Sequence, residues 1–400
     1  MNILTVVSDL GRGGVQRTAV NFAVSFRVAG HASFVLAVND LGPRLEDLNK
    51  SDVQVFRSLD QLNNLPSLDL IFVHSLGVSA SMVRSLRLKF SNAKLVEKNV
   101  FSRPSAWDWD LDCSFQMTST CLERYRRFGG QAPAAVIPNP VKVENFFHSA
   151  AERDEFREQM NVPPDSICLG RVGQPFTYKW SPLLISAFNR LSAEFDCVWL
   201  ILVGPPKEVV AQARRSKYSH RIKALDANLR DSELRKVYAS TDIFVHSAAQ
   251  GESFGNVLME AMLCEVPIVT LSTPWADNSQ SELVLSAQSG FVAKSPSSWQ
   301  RDVSRLIGNP TMRWEMGRRG REFVLGGFDA ETTAKQALSI VAEPNGELAA
   351  VNVTLPNGGH SKSLAQVRAW FWQLLALVAP KVVFGAWRWL PSKLVDRISH

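Results

Sequence analysis

The sequence predicts an α/β protein built from two consecutive doubly wound domains and closed by a tail of different character. Three observations carry that reading. An apolar, strand-like run at residues 3–7 leads into Asp9, Gly11, Gly13 and Gly14, and then into a helix-like segment at 16–28. Strand, glycine-rich turn and helix in that order open a doubly wound domain. A second series of strand-like and helix-like segments starts after residue 140, and Pro138-Asn139-Pro140 marks the break between the two.

In the first domain, residues 1–140, further apolar runs at 33–38, 68–73 and 94–96 continue the alternation, and 134–137 reads as its last strand. In the second, residues 141–342, strands are expected at 167–172, 198–203 and 243–245, with helices at 182–191 and 232–240. A helix-like segment at 329–342 is expected to close that domain. Ligands of such sheets bind beyond the carboxyl ends of the strands, so the turns there are where chemistry is sought.

One of those turns is unusually informative. Gly251-Glu252-Ser253-Phe254-Gly255 reads as a tight loop, followed by an apolar helix starting near Asn256 or Val257 and by a buried strand at 266–270. Glu252 then lies in the loop and Glu260 about one turn inside the helix. A helix start offers backbone N–H groups without intrahelical partners and a partial positive charge, which suits an anion such as a diphosphate. Gly170-Arg171-Val172-Gly173 ends the expected strand at 167–172, and Lys179 follows shortly after. An arginine fork and a lysine point charge at one sheet edge could clamp the same anion.

Composition narrows the function. The chain has 400 residues, 46% of them hydrophobic, which suits two or three globular domains. Its five cysteines are scattered and form no C-x-x-C pair, which favours a reducing compartment over a disulfide framework or zinc site. The first residues have no basic segment ahead of their apolar run, so they read as a strand and not as a signal peptide. No stretch has the length of a clean membrane span. The net charge of +6 is gathered at the end: after Ala350 there are six Lys or Arg and one Asp, interleaved with Trp370, Trp372, Trp387 and Trp389. A basic surface spread over the whole chain would suggest nucleic acid, and this distribution does not. Residues 343–400 read instead as a linker and an amphipathic, tryptophan-rich basic tail suited to a membrane interface. The expected place is the cytoplasm, in peripheral association with the inner face of the cytoplasmic membrane.

The segment from Glu252 to Met262 resembles the E-x7-E signature of retaining glycosyltransferases of family 4, matching at Glu252, Phe254, Gly255, Glu260, Ala261 and Met262. The resemblance implies the GT-B fold, two Rossmann-like domains facing a cleft. It implies transfer of a sugar from a nucleotide diphosphate sugar to an acceptor hydroxyl with retained anomeric configuration, in surface polysaccharide, lipopolysaccharide or glycolipid synthesis. Glu252 would be the catalytic-site glutamate, touching donor sugar hydroxyls, and Glu260 would hold the nucleotide ribose. Arg171, Lys179 and the backbone of Phe254, Gly255, Asn256 and Val257 would take the diphosphate, with no metal and no cofactor beyond the donor itself. Gly13 and Gly14 match a glycine pair that the family places in its first loop, with Gln16 here where the family has glutamate. Asn99 stands where the family often has a histidine, and His74 is a second candidate for that role. His246 replaces a usual proline, and Asp277 could meet a sugar hydroxyl. The partners implied are a nucleotide sugar, a lipid-linked or polysaccharide acceptor and a membrane surface.

Other readings have their own marks. A nucleotide-sugar epimerase on the same frame would consume no acceptor, and a phosphorylase would need a pyridoxal-binding lysine that no segment supplies. A dinucleotide-dependent oxidoreductase would need G-x-G-x-x-G after the first strand, a spacing that Gly11, Gly13 and Gly14 do not give. A non-catalytic nucleotide-sugar-binding protein would lack some of the proposed donor contacts, and all of them are present.

Overall fold

The computed structural model describes residues 1–342, so the tail expected at 343–400 lies outside the described residues. The described chain divides into two units, residues 1–143 with 326–342, and residues 144–325.

The first unit runs β1 (Asn2–Asp9), α1 (Gly14–Val28), β2 (Ala32–Asp40), α2 (Leu45–Lys50), β3 (Gln54–Phe56), β4 (Leu70–His74), α3 (Ala80–Lys89), β5 (Lys94–Lys98), β6 (Cys113–Gln116), α4 (Ser119–Arg127) and β7 (Ala134–Val136). Its seven strands are parallel in the order β3-β2-β1-β4-β5-β6-β7. The second runs α5 (Ala150–Gln159), β8 (Ile167–Val172), α6 (Leu184–Glu194), β9 (Val198–Val203), α7 (Lys207–Arg215), β10 (Ile222–Leu225), α8 (Asp231–Ala239), β11 (Ile243–His246), α9 (Asn256–Leu263), β12 (Ile268–Leu271), α10 (Ser279–Ala287), β13 (Gly290–Ala293), α11 (Pro296–Ile307) and α12 (Pro310–Leu325). Its six strands are also parallel, in the order β10-β9-β8-β11-β12-β13. Both orders reverse beside the first strand of the unit, between β1 and β4 and between β8 and β11. Such reversals are the topological switch points where open parallel sheets bind ligands.

The strands are apolar because helices cover both faces of a parallel sheet. In β1, Ile3, Leu4, Val6 and Val7 are fully buried, and in β9 Leu200, Ile201 and Leu202 are. One helix differs from the sequence expectation. The last described helix, α13 (Ala330–Ala342), packs its Ala334, Ala337, Leu338 and Val341 against Phe22, Phe26, Phe72 and Phe115 of the first unit. It completes a face of the first sheet and does not close the second domain. The sequence pattern shows that a helix there has an apolar stripe, but not which sheet the stripe meets.

The two sheets carry the same pentapeptide at the same topological place. Ile71-Phe72-Val73-His74-Ser75 ends β4, and Ile243-Phe244-Val245-His246-Ser247 ends β11. In the register of the next strand outward, His74 lies opposite Lys98 and His246 opposite Thr270.

Candidate functional site

The second switch point gathers the residues singled out by the sequence. β8 delivers Arg171 to its carboxyl end, and the turn after it carries Lys179. β11 delivers His246, and the loop after it carries Glu252. Lys179 Nζ donates to Glu252 Oε2 at 2.5 Å. His246 Nε2 lies 3.3 Å from Glu252 Oε1, and its Nδ1 lies 2.9 Å from Thr270 Oγ1. The Glu252 side chain is 10% exposed and that of Lys179 28%.

Three loops hold this arrangement. Gly255 caps α9 in the left-handed region at φ 92°, which a side chain would strain, and turns the chain from the Glu252 loop into the helix. Gly251 lies so close to the loop before α10 that a Cβ would fall 1.6 Å from the Asp277 carbonyl oxygen. The Glu252 backbone is fixed on both sides: its N–H donates to Gln280 Oε1 at 3.0 Å, and its carbonyl accepts from Ser279 N–H at 3.0 Å. Ser253 Oγ donates to Asp277 Oδ2 at 2.7 Å, so Asp277, expected to meet a sugar, is tied to the signature loop. Gln280 also donates to Leu271 O and Thr273 Oγ1. The Lys179 turn is joined to the same loop, since Ala249 N–H donates to the Tyr178 carbonyl at 3.0 Å.

The electrostatics follow from burial set against partners. Burial alone would raise the Glu252 carboxyl, but the Lys179 ammonium and the hydrogen bond from His246 outweigh it and hold the group well below the usual carboxylate range. Burial, with Arg171 nearby, pushes His246 down to about 4, so its ring is neutral at neutral pH. Burial also lowers Arg171 to about 10, still charged near neutrality.

Arg171 is placed differently from the expected open clamp. Its residue is 1% exposed, and its guanidinium donates to the carbonyls of Val172 at 2.6 Å and Lys179 at 2.5 Å and lies 5.1 Å from the Trp180 ring centroid. It braces the turn that carries Lys179. Glu260 is 3% exposed on α9, and its Oε2 accepts from the Tyr238 hydroxyl at 2.8 Å. Phe254 is buried, while Asn256 and Val257 in the first turn of α9 are half-buried.

In the first unit, Gly13 caps α1 and Gly14 is its first residue. Gln16 donates its amide to both Asp9 carboxylate oxygens, at 3.0 and 2.9 Å. The glutamine in place of the family's glutamate thus binds an acid that a glutamate would repel. Asn99 is 1% exposed and works within its own loop: its Oδ1 accepts from Phe101 and Ser102 N–H, and its Nδ2 donates to Arg103 O and Glu97 Oε2. His74 is fully buried, and among the described residues neither ring nitrogen has a hydrogen-bond partner.

Sequence reasoning passed over Thr270, Gln280 and Tyr238 and set His246 on a cleft wall. Thr270 and Gln280 touch Glu252 or the histidine bound to it, yet neither belongs to a recognisable spacing. The one available signal was the repeated pentapeptide, which marks His246 as a strand-end residue beside a switch point.

Two parallel-sheet, Rossmann-like units with this strand order define the GT-B fold. The Anabaena protein HepE, solved with UDP and glucose, superposes with a TM-score of 0.69 at 20% identity, covering 85% of this chain and 98% of HepE. Within this fold, residues 152–323 match the model of the family described as glycosyl transferases group 1. That segment holds Arg171, Lys179, His246, Glu252 and Glu260. Among curated proteins, the chain is 27% identical to a D-inositol 3-phosphate glycosyltransferase of Segniliparus rotundus over 213 residues, 51% of this chain and 45% of that protein. It is 31% identical to the GPI3 subunit of the phosphatidylinositol N-acetylglucosaminyltransferase of Saccharomyces cerevisiae over 167 residues, 40% of this chain and 36% of that protein. The chain thus spans about half the length, or less, of these curated relatives.

Proposed function

We propose that this protein is a retaining glycosyltransferase of family 4 type, moving a sugar from a nucleotide diphosphate sugar to an acceptor hydroxyl. The observation that carries the reading is the Lys179–Glu252 pair, set at a switch point ahead of the α9 N-terminus inside the glycosyltransferase group 1 domain. The reaction needs a departing diphosphate to be stabilised. Lys179 and the first turn of α9 supply positive potential in a partly buried place, where electrostatic stabilisation is strong. On this reading no metal is required, because a cation and a helix end act on the leaving group. Glu252, ionised and fixed, accepts hydrogen bonds from donor sugar hydroxyls beside the reacting carbon. Glu260 takes the ribose, with Tyr238 holding its other side. The acceptor hydroxyl attacks from the face that the diphosphate leaves, and a diphosphate oxygen receives its proton.

A lipid-linked or polysaccharide acceptor fits the composition of residues 361–400, whose tryptophans and basic residues suit the anionic inner face of the cytoplasmic membrane. Both of these curated relatives are named for inositol-containing substrates, which makes a glycolipid acceptor the first to try.

The test is a thermal-shift screen against UDP-, GDP- and ADP-sugars, since a ligand of the folded state raises Tm. Nuclear magnetic resonance of the product of the best donor then reads the anomeric configuration. The expected result is retention, and a loss of turnover on the order of 10²-fold or more in Glu252→Ala at unchanged Tm. Inversion at the anomeric carbon, or a fully active Glu252→Ala, overturns the reading.

A further inference from the structure

We propose that His246 is a positioning residue for Glu252: with its tautomer set by Thr270, it holds one carboxylate oxygen while Lys179 holds the other, so that the carboxylate meets the donor sugar in one orientation. The inference rests on the reading of Glu252 as the donor-sugar glutamate and adds a residue to that site.

The geometry defines each role. An ionised carboxylate only accepts hydrogen bonds. At 3.3 Å from Oε1, His246 Nε2 must therefore be the ring nitrogen that carries the proton. In a neutral ring Nδ1 is then an acceptor, and its partner at 2.9 Å, Thr270 Oγ1, must donate. Threonine can do this because its hydroxyl turns to suit the acceptor. The chain Thr270–His246–Glu252 thus has one direction of donation. It is built on the rigid ends of β11 and β12, where the two residues lie in register. Both are completely buried, which excludes water from competing for these bonds.

The consequence lies in what remains available on Glu252. Each carboxylate oxygen has two lone pairs, so one stays on Oε1 and one on Oε2 after His246 and Lys179 are served. With Lys179 alone, the carboxylate could rotate about its last torsion, which is broad and weakly restrained. The second bond, to the other oxygen, removes that freedom. A fixed acceptor is worth most where a reacting centre must be held to within a fraction of an ångström.

The repeated pentapeptide shows that the local sequence does not impose this role. His74 ends β4 as His246 ends β11, yet the register gives His74 a lysine neighbour, and neither of its ring nitrogens is bonded. It is a matched control for replacing a buried strand-end histidine.

The experiment uses the full chain and whichever of UDP-, GDP- or ADP-glucose gives the largest thermal shift, together with its plain nucleoside diphosphate. Calorimetry gives the affinity of each, and release of nucleoside diphosphate gives turnover. In His246→Leu, turnover should fall by roughly 10- to 100-fold. The extra affinity of the nucleotide sugar over its plain diphosphate should be lost, and the affinity for the plain diphosphate should hold. His246→Gln, whose amide can still donate to Glu252, should recover most of both. Thr270→Val should fall between them, and His74→Leu should keep the parent's diphosphate affinity and sugar increment.

A merely structural histidine predicts another pattern: Tm, diphosphate affinity and turnover fall together, and glutamine does not rescue. That pattern, or a folded His246→Leu with the parent's turnover and sugar increment, overturns the proposal. If His246→Leu does not fold, His246→Gln and Thr270→Val decide, since unequal loss of the sugar increment at equal diphosphate affinity is still required. A Glu252→Gln arm separates the two levels of argument. If that variant keeps full turnover, the donor-site reading fails and the positioning role falls with it. If it is inactive while His246→Leu is normal, only the positioning role fails.

Discussion

The carboxyl edges of the two sheets share a topology and even a pentapeptide, but they treat charge in opposite ways. At the first, His74, Glu97 and Lys98 are wholly buried, and burial dominates all three. It pushes His74 down to about 3, Glu97 up to about 7 and Lys98 down to about 7, each toward its neutral form. At the second, Glu252 is also buried, though less completely, and Lys179 and His246 keep it ionised. The difference teaches what turns a strand end into a site. A buried charge is expensive alone, and a fold either neutralises it or gives it partners. Only the second course leaves a fixed anion able to bind a ligand.

The largest expected effect tests whether the second edge depends on that pairing. Lys179→Ala should weaken nucleoside diphosphate binding by roughly 10- to 100-fold, the worth of a charge-assisted hydrogen bond. Arg171→Ala should weaken it too, because Arg171 holds the Lys179 carbonyl and so the turn on which the lysine stands. The double variant should lose less than the product of the two, since both act through one turn. Calorimetry of the three variants measures this. Unchanged affinity in Lys179→Ala would mean that the second edge is as closed to ligands as the first.

The next prediction sharpens the first edge. Glu97 is raised to about 7 in the folded protein, from 4.5. Between those values the folded state holds a proton that the unfolded state has lost, so this group's contribution falls as pH rises from about 4.5 to about 7. Above pH 7 the ionised group carries its full desolvation cost. Glu97→Gln keeps an acceptor for Asn99 and Ser114 and removes the ionisation. The variant should gain stability over the parent on going from pH 5 to pH 8, by at most about 3 kcal/mol. Denaturant melts at the two values read this directly. A gain that is equal at both, or larger at pH 5, would show that Glu97 is not held neutral.

Much of the fold was legible because parallel strands announce themselves as continuous apolar runs. Residues 3–7, 167–172 and 198–203 fall within β1, β8 and β9, and α9 begins at Asn256, where the glycine-rich loop predicts a start. The strands that escaped, β3, β6, β10 and β13, have three or four residues each. Three of the four lie at sheet edges or carry half-exposed residues, so burial leaves little mark on their sequence. The assignment of α13 failed for a different reason, since its partner sheet is far away in sequence. At the candidate site, the glutamates and Lys179 were legible from motif spacing. Arg171 was legible as a position but not as a brace, because side-chain direction at a strand end depends on which turn folds back over it. Thr270 was invisible, as its meaning comes only from register with His246.

The smallest effect belongs to the other copy of the pentapeptide. His74 lies among aromatic rings, 5.1 Å from Phe72 and 6.1 Å from Phe22 by ring centroids, with neither nitrogen bonded. A buried polar group without partners is a cost that an apolar side chain of similar size removes. His74→Leu should therefore be neutral or stabilising by about 1 kcal/mol at pH 7.5, a rise in Tm of roughly 2–4 °C for a unit of this size. The pH dependence fixes the cause. Because the folded value lies near 3 and the ordinary value at 6.5, the unfolded state binds a proton that the folded state refuses as pH falls below 6.5. The parent then loses stability with acid through this group, and the leucine variant does not. The advantage of the variant should widen by about 2 kcal/mol between pH 7.5 and pH 5. A variant that is less stable than the parent, by an amount independent of pH, would show that His74 has a partner after all. The two copies would then differ in the identity of that partner and not in its presence.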